Sequence, residues 1–475
     1  MRLEETLLFA GLAVILRLFV VGRVRLWGLL AVSTLALYWF QPLNLVRYLD
    51  FWLPTFTLFL ISVSWFLITP PNRRNEKINL FTALFLVVTM VLIAATRYIG
   101  VQGLITASRP PPILPVVLAI TVVGGGYFIL CRQKRLPTWS SSIAIFFLLV
   151  LFVVIKYPLL ADYIGNWLRL ASGQTAKAGT HIDIRWLGFS YIAFRLIHTL
   201  RDHQNGRMAE VNFREYIIYV IFFPSLAAGP IERVERFLKG LRNPENSVPT
   251  DFAIGGKRIA VGLFKKFVIA DSLSLFALNS TNVTQVKSVE WSWVMVYAYA
   301  LLIYFDFSGY TDIAIGLGRL MGINLPENFN KPYVKSNLTQ FWNNWHITLT
   351  QWFRAYFFNP LTRKLSRSAA FSSPVSIILI TQVATMILIG LWHGISVSFV
   401  IWGLWHGLGL FLNNRWSEWT RPYMKNLESQ PWFFNLAGLA GIFLTFNYVA
   451  LGWVWFVLPD PDVAFGFLMH LLGIG

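Results

Sequence analysis

The sequence predicts an all-α protein that crosses a membrane several times. Of its 475 residues, 56% are hydrophobic and only 13% are charged, and the mean hydropathy is +0.57. A soluble globule could not bury so much apolar surface. Apolar runs recur along most of the chain, and a helix needs about 20 such residues to cross the hydrocarbon. We therefore expect roughly ten to thirteen membrane-embedded segments.

The first third of the chain is typical of plain hydrophobic helices joined by short loops. Its apolar runs lie near 5–22, 26–40, 51–69, 79–96, 113–131 and 141–161. Nothing in these runs resembles a reactive group of residues. We interpret 1–161 as a wall of helices, and we expect the N-terminal segment to be retained as the first helix because no small-residue cleavage site follows it.

Beyond residue 183 the apolar runs become shorter, are interrupted by Gly and Pro, and contain polar residues. The runs lie near 214–228, 259–278, 292–318, 374–391, 395–412 and 433–458, with a weaker one at 462–474. Broken helices survive at membrane depth only where they are buried in protein or face water. This part should therefore enclose a cavity. We see no internal repeat and expect 1–475 to form a single membrane-embedded domain, with 413–475 as its C-terminal helices.

The net charge of +18 would suggest a nucleic-acid partner in a soluble protein, but in a membrane protein it first reports topology. Basic residues concentrate in alternate loops: Arg23 and Arg25, then Arg73, Arg74 and Lys77, then Arg132, Lys134 and Arg135. By the positive-inside rule these loops are cytoplasmic, so the N-terminus is predicted outside. The lipid bilayer is the expected partner, and no nucleic acid is expected. Cys131 is the sole cysteine, which excludes an intrachain disulfide and a cysteine-based metal site.

Two histidines in tryptophan-rich apolar sequence are the strongest chemical signal. His346 lies in FWNNWHITLTQWFR and His393 in LIGLWHGISVSFVIWGLWHG. An ionisable ring at membrane depth is costly unless it lines a cavity or finds a partner, so such a histidine is by default functional. The alternative is a neutral core histidine with one satisfied N–H.

The region around His346 predicts one amphipathic helix over 336–356, because its aromatic and aliphatic residues step by three and four. They are Trp342, Trp345, Leu349, Trp352 and Tyr356. Such a helix suits the membrane interface or the lining of a wet vestibule. Alternatively it is an aromatic belt helix whose histidine merely faces water.

The spacing of the other polar residues disfavours a carboxylate pair and a metal site. Asp306 and Asp312 are six residues apart and would point in different directions on a helix, and Arg319 is one candidate partner for Asp312. His393 and His406 are thirteen residues apart, which is about 220° around a helix, so a shared metal is disfavoured. No HExxH, GxSxG or Walker-type loop is present. A histidine that accepts a proton from a hydroxyl remains.

Five long motifs occur in order over about 188–410: GFSYIAFRLIHTLRD, FFPSLAAGPIERVERF, YFDFSGYTDIAIGLGRLMGINLPENFNKPY, FWNNWHITLTQWFRAYFFNPL and LWHGISVSFVIWGLWHG. With these motifs the chain resembles the membrane-bound O-acyltransferase family, in particular its bacterial branch of alginate O-acetyltransferases and teichoic acid D-alanyl transferases. The resemblance makes 183–412 the catalytic core. It implies a ring of roughly 11 to 13 transmembrane or re-entrant helices around a central tunnel.

The resemblance also assigns roles to residues. It implies that His393 is the base that activates the acceptor hydroxyl and that His346 lines the same tunnel. Asp312 and Asn330 match motif positions and are expected only to support the site, as are the aromatic neighbours Trp345 and Trp392. No metal and no permanently bound cofactor are implied.

The implied donor is a thioester, either acyl-coenzyme A or an acylated carrier protein, that enters from the cytoplasm. The basic stretch 232–258 could receive its phosphate, or could simply anchor to anionic lipid. We expect transfer of acetyl to the hydroxyl of an exported polysaccharide or cell-envelope polymer, or to an extracytoplasmic acyltransferase or export partner that completes the reaction. The alternatives are D-alanyl transfer to a teichoic-like polymer, a transporter or flippase, and a catalytically inactive scaffold protein. The expected location is the bacterial cytoplasmic membrane.

Overall fold

The computed structural model describes residues 3–18, 22–100, 103–131, 137, 139–176, 184–243, 248–368, 373–427 and 430–474. Every regular element in these ranges is helical, which confirms the predicted all-α class. The basic loop of Arg132, Lys134 and Arg135 lies outside the described residues. The chain divides into two compact units, Met1–Lys257 with Ala314–Leu325, and Arg258–Ile313 with Pro326–Gly475.

The first twelve α-helices of the described residues lie between residues 3 and 263. They are α1 Leu3–Leu18, α2 Arg23–Trp39, α3 Leu49–Ile68, α4 Pro71–Arg74, α5 Lys77–Ala95, α6 Ile113–Cys131, α7 Ser140–Lys156, α8 Pro158–Ala171, α9 Phe189–Gln204, α10 Phe213–Val220, α11 Val234–Arg242 and α12 Val248–Leu263.

The remaining helices hold most of the residues singled out by the sequence. They are α13 Asp271–Ser274, α14 Val289–Leu320, α15 Leu338–Asn344, α16 Ile347–Phe353, α17 Asn359–Ser366, α18 Pro374–His393, α19 Val397–Leu427, α20 Pro431–Val457 and α21 Pro461–Leu471. Two π-helical turns, Phe264–Ala270 and Arg354–Phe358, follow α12 and α16.

Five helices among the described residues are long and apolar enough to cross a membrane, namely α3, α5 extended to Tyr98, α14, α18 and α20. The number is six if α7 and α8, which meet at a bend of 92°, count as one broken span. Pro158 at the start of α8 lacks a backbone N–H and so cannot continue the hydrogen bonding of α7. The protein is therefore polytopic, as predicted.

Two apolar runs of the second half do not form single helices. The run 214–228 is divided between α10, which a capping box of Asn212 and Glu215 starts, and a 3₁₀ turn at Phe223–Ser225. The run 259–278 is divided by a π-helical turn. The expectation of broken segments in this half holds for 214–228, whereas helical backbone continues through the π-helical turn up to Ser274.

Helices α18 and α19 form a closely packed hairpin that positions His393 and His406. A Cβ atom on Gly403 would lie 2.5 Å from Ile387 Cα, and one on Gly407 would lie 2.7 Å from Val383 Cα. Only glycine allows the two backbones to approach so closely at these points, as in other small-residue membrane interfaces. Helix α18 ends at His393, and Gly394 continues in extended backbone.

Candidate active site

His393 lies at the C-terminal end of α18 inside a group of aromatic rings. Its imidazole centroid is 4.5 Å from that of Trp392, 4.8 Å from Phe456 and 5.7 Å from Trp402. Phe399 follows at 6.1 Å. In spite of these neighbours the His393 residue is only partly buried. The ring is therefore held in place by aromatic contacts, and the residue as a whole is less buried than its neighbour Trp402.

His346 is held in a different way, because it divides the predicted helix of 336–356 in two. That prediction of one continuous helix is wrong: His346 has a left-handed backbone, with φ 43° and ψ 53°, between α15 and α16. Asn328 stabilises the break. Its carbonyl oxygen accepts from Ile347 N at 2.9 Å, and its Oδ1 accepts from Thr348 Oγ1 at 2.6 Å and from Thr348 N at 3.2 Å.

The structure brings His346 and His393 to the same tryptophan. The centroid of Trp392 is 6.2 Å from His346 and 4.5 Å from His393. On its other side His346 meets Phe307, at 4.7 Å and nearly perpendicular. His346 is only 3% exposed, so the alternative that it merely faces water is wrong.

A third histidine, His406, lies completely buried in the same unit. Its ring is 4.9 Å from Trp402, 5.1 Å from Trp342 and 6.0 Å from Trp453. Neither ring nitrogen has a hydrogen-bond partner in the described part of the chain. A Cβ on Gly452 would lie 2.6 Å from Nε2, so the ring fills the space that this glycine leaves. His406 therefore behaves as a core residue.

The two further residues expected to support the site, Trp345 and Asn330, lie around α15. Trp345 is buried among aromatic rings, with Trp453 and Phe329 each at 5.2 Å. Asn330 is exposed, and its backbone N–H donates to Asn344 O at 3.1 Å. The side chain that fixes the local geometry is that of Asn328, which sequence reasoning missed two positions earlier.

Asp312 is buried and ion-paired, but not to Arg319. Its carboxylate accepts from Arg258 and from Lys265, each at 2.7 Å. Arg319 instead pairs with Asp251 at 2.9 Å. The spacing argument for Arg319 failed because the partners of Asp312 come from α12 and the π-helical turn after it, more than 40 residues earlier in the chain. The two ion pairs tie α14 to α12 and to the π-helical turn that follows it.

A cavity of about 180 Å³ lies beside this cluster. Its walls come from α15, α16, α18 and α19 and include Trp342, Thr350, Gln382 and Ile389. Ile389 lies one helical turn before His393. The exposed Arg354 also lines it and donates to Asn343 Oδ1 at 2.6 Å. The cavity thus combines apolar walls with a cation and amide groups, and a π-helical turn, a feature common at functional sites, begins at Arg354.

Residues 136–455 match the family described as "MBOAT, membrane-bound O-acyltransferase family". The chain belongs to this family. The resemblance and the O-acyltransferase class inferred from the motifs are therefore confirmed, and both histidines in contact with Trp392 fall inside the matched region.

Three relatives illustrate the range of names in this family. The chain is 31% identical over 276 residues to a teichoic acid D-alanyltransferase of Bacillus subtilis, which is 57% of this chain and 68% of that protein. It is 35% identical to a probable alginate O-acetylase of Pseudomonas syringae pv. tomato, over 60% of this chain and 51% of that protein. It is 32% identical to a peptidoglycan O-acetyltransferase of Helicobacter pylori, over 55% and 47%. The chain thus spans about half the length of the last two relatives.

Proposed function

We propose that this protein transfers an acyl group, most simply acetyl, from a thioester donor to a hydroxyl of an exported polysaccharide or cell-envelope polymer, or to a partner protein that completes the transfer. His393 is the general base. The proposal follows from the family, from the names of relatives that act on alginate and peptidoglycan, and from the surroundings of the three clustered histidines.

One observation carries the assignment of the base. Of the three described histidines in the aromatic cluster, His346 and His406 are buried, at 3% and 0% exposure, whereas His393 is partly exposed. A general base must come within hydrogen-bonding reach of the proton that it removes. Partial exposure supports His393 as the residue that an acceptor hydroxyl can reach, and we assign His346 as a positioning residue that acts through Trp392.

The chemistry needs only one imidazole. The neutral His393 ring accepts the proton of the acceptor hydroxyl as its oxygen attacks the thioester carbonyl carbon. The C–O bond forms, the C–S bond then breaks, and the imidazolium returns its proton to the departing thiolate. Atoms and charge balance, and neither a metal nor a permanently bound cofactor takes part.

We assign the donor to the cytoplasmic side and to the cavity lined by Trp342, Gln382 and Arg354. Its apolar walls suit a thioester arm, and Arg354 supplies a cation for the phosphate of coenzyme A or of a carrier protein. The chain itself lies in the bacterial cytoplasmic membrane with its N-terminus outside, as the distribution of basic loops predicts. An extracytoplasmic acyltransferase or export protein is the expected partner.

A second acyl group, D-alanyl, is supported by the match to a D-alanyltransferase. The D-alanyltransferase of Bacillus subtilis is matched over a larger share of its length, 68%, than the two acetyl-transferring relatives, 51% and 47%. D-alanyl transfer to a teichoic-like polymer uses the same base and the same thioester chemistry.

The proposal is tested by mass spectrometry of exported glycans from cells with and without this protein. We expect ester groups to disappear with the protein and to return with a plasmid copy. An acetyl and a D-alanyl ester differ in mass, so the same spectra identify the acyl group. Unchanged ester content would overturn the proposal and favour a transporter or a catalytically inactive scaffold protein.

A further inference from the structure

A second cavity lies in the unit Met1–Lys257, far along the chain from the histidines. It has a volume of about 220 Å³ and is formed by α3, α5 and α6. Both α3 and α5 are long and apolar enough to span a membrane. The cavity therefore lies at the depth of lipid acyl chains, in the part of the chain that the sequence analysis interpreted only as a wall.

The lining of this cavity offers almost no hydrogen bonds to a polar occupant. Thr55 and Ser62 donate to carbonyl oxygens of their own helix, at 2.8 and 2.7 Å. Asn79 donates to Arg73 O at 2.8 Å and accepts from Phe213 N at 2.8 Å. A water molecule needs two to four polar partners to be held in a cavity. The body of this cavity therefore suits a hydrocarbon chain.

One end of the cavity is cationic. Arg74, which lines it, lies in the short segment between the end of α3 and the start of α5, where these spans leave the hydrocarbon. Its Nε donates to Thr69 O at 3.1 Å, its guanidinium lies 3.9 Å from the ring centroid of Phe66, and the residue is almost completely buried. Lys77, at the first turn of α5, is exposed. Arg73, the residue before Arg74, pairs with Glu76 and Glu210.

We propose that this cavity binds one acyl chain of an acidic glycerophospholipid, with the lipid phosphate at Arg74 and Lys77. The occupant must combine a hydrocarbon tail with an anionic head at the membrane interface, and acidic phospholipids have this composition. The proposal is independent of the proposed acyl transfer, because its site contains none of the residues assigned to that reaction.

Three successive glycines of α6 provide a matched test. Gly124 lines the cavity, and a Cβ atom there would meet no atom within 4 Å, so Gly124→Phe places a ring in the cavity. Gly125 is equally unobstructed but does not line the cavity, so Gly125→Phe is the control. Ala119→Phe fills the cavity from a second position on α6.

The probe is phosphatidylglycerol with a photoreactive diazirine in one acyl chain, in phosphatidylethanolamine vesicles that contain the full-length protein. After irradiation, mass spectrometry maps the labelled peptides. We expect label on α3, α5 and α6 in the wild type and in Gly125→Phe, and its loss in Gly124→Phe and Ala119→Phe. Arg74→Gln, and a phosphatidylcholine probe with the same chain, should each reduce labelling several-fold.

Two results would overturn the proposal. Equal labelling of Gly124→Phe and Gly125→Phe would mean that the cavity is not the binding site. Equal labelling by the two head groups would mean that bulk lipid fills the cavity with no selection for an acidic head. Because Gly124→Phe and Gly125→Phe are neighbours on one helix, a general folding defect would affect both.

Discussion

His346 and His393 present the same ring in two different environments. His393 ends a helix and is partly exposed, whereas His346 is buried in a left-handed backbone between two helices. The sequence singled out both residues, because an imidazole among tryptophans is unusual. It could not distinguish their roles, since exposure depends on Phe307, Phe456 and other rings that lie far away along the chain.

The left-handed backbone of His346 gives a test at this position. Glycine adopts φ 43° without the steric cost that a Cβ atom brings, which is about 1–2 kcal/mol. We expect His346→Gly and His346→Ala both to lower transfer, since both lose the ring beside Trp392. Thermal unfolding in detergent should show His346→Gly to be the more stable of the two by about 1 kcal/mol. The reverse order would mean that the backbone is not left-handed here.

Glu232 predicts a pH dependence of stability. Burial raises the pKa of its carboxyl group to about 7, more than the nearby Arg233 and Arg236 lower it. A raised pKa stabilises the folded protein below the unfolded pKa of 4.5, and this contribution is lost as the pH rises through 7.

Glu232→Gln should therefore become more stable relative to the wild type as the pH rises from 5 to 8, by up to about 3 kcal/mol. Paired thermal unfolding curves across this pH range measure the difference. A gap between the two proteins that stays constant with pH would show that Glu232 is ionised throughout the range.

At the scale of elements, the hairpin of α18 and α19 depends on its glycines. A Cβ on Gly403 would meet the backbone of Met386 and Ile387 at 2.5–2.8 Å, whereas a Cβ on Gly438 in α20 would meet nothing within 4 Å. Gly403→Ala should destabilise the protein by about 1–3 kcal/mol and move His393. Gly438→Ala should be neutral or slightly stabilising, because alanine favours helix. Unfolding temperatures and ester content of both variants check this, and equal effects would contradict it.

Sequence patterns predict the continuous helices but not the breaks and ion pairs between them. The continuous apolar helices α3, α5, α18 and α20 follow directly from their apolar runs. The break at His346 does not, because it is stabilised by hydrogen bonds that Ile347 and Thr348 donate to Asn328, which lies 18 residues before His346. The same holds for Asp312, whose partners lie on α12 and the following turn. Periodicity reports local conformation, and these features depend on distant contacts.

At the scale of the whole molecule, the family and the enzyme class could be predicted because several long motifs occur in the expected order over 188–410. The cavity in the N-terminal unit could not, because most of its lining residues are ordinary apolar residues whose spacing predicts only helices. Motifs report chemistry that depends on particular side chains. A cavity depends on how helices fit together.

The most direct test of the account is the ester content of exported polymer in cells that carry His393→Ala in place of the wild type, at equal amounts of protein in the membrane. His406→Phe, which replaces a fully buried ring by another of similar size, is the matched control. If His393 is the base, His393→Ala loses about 100-fold or more of the transfer while His406→Phe retains most of it. Transfer by His393→Ala at the wild-type level would contradict the role of His393 as the base.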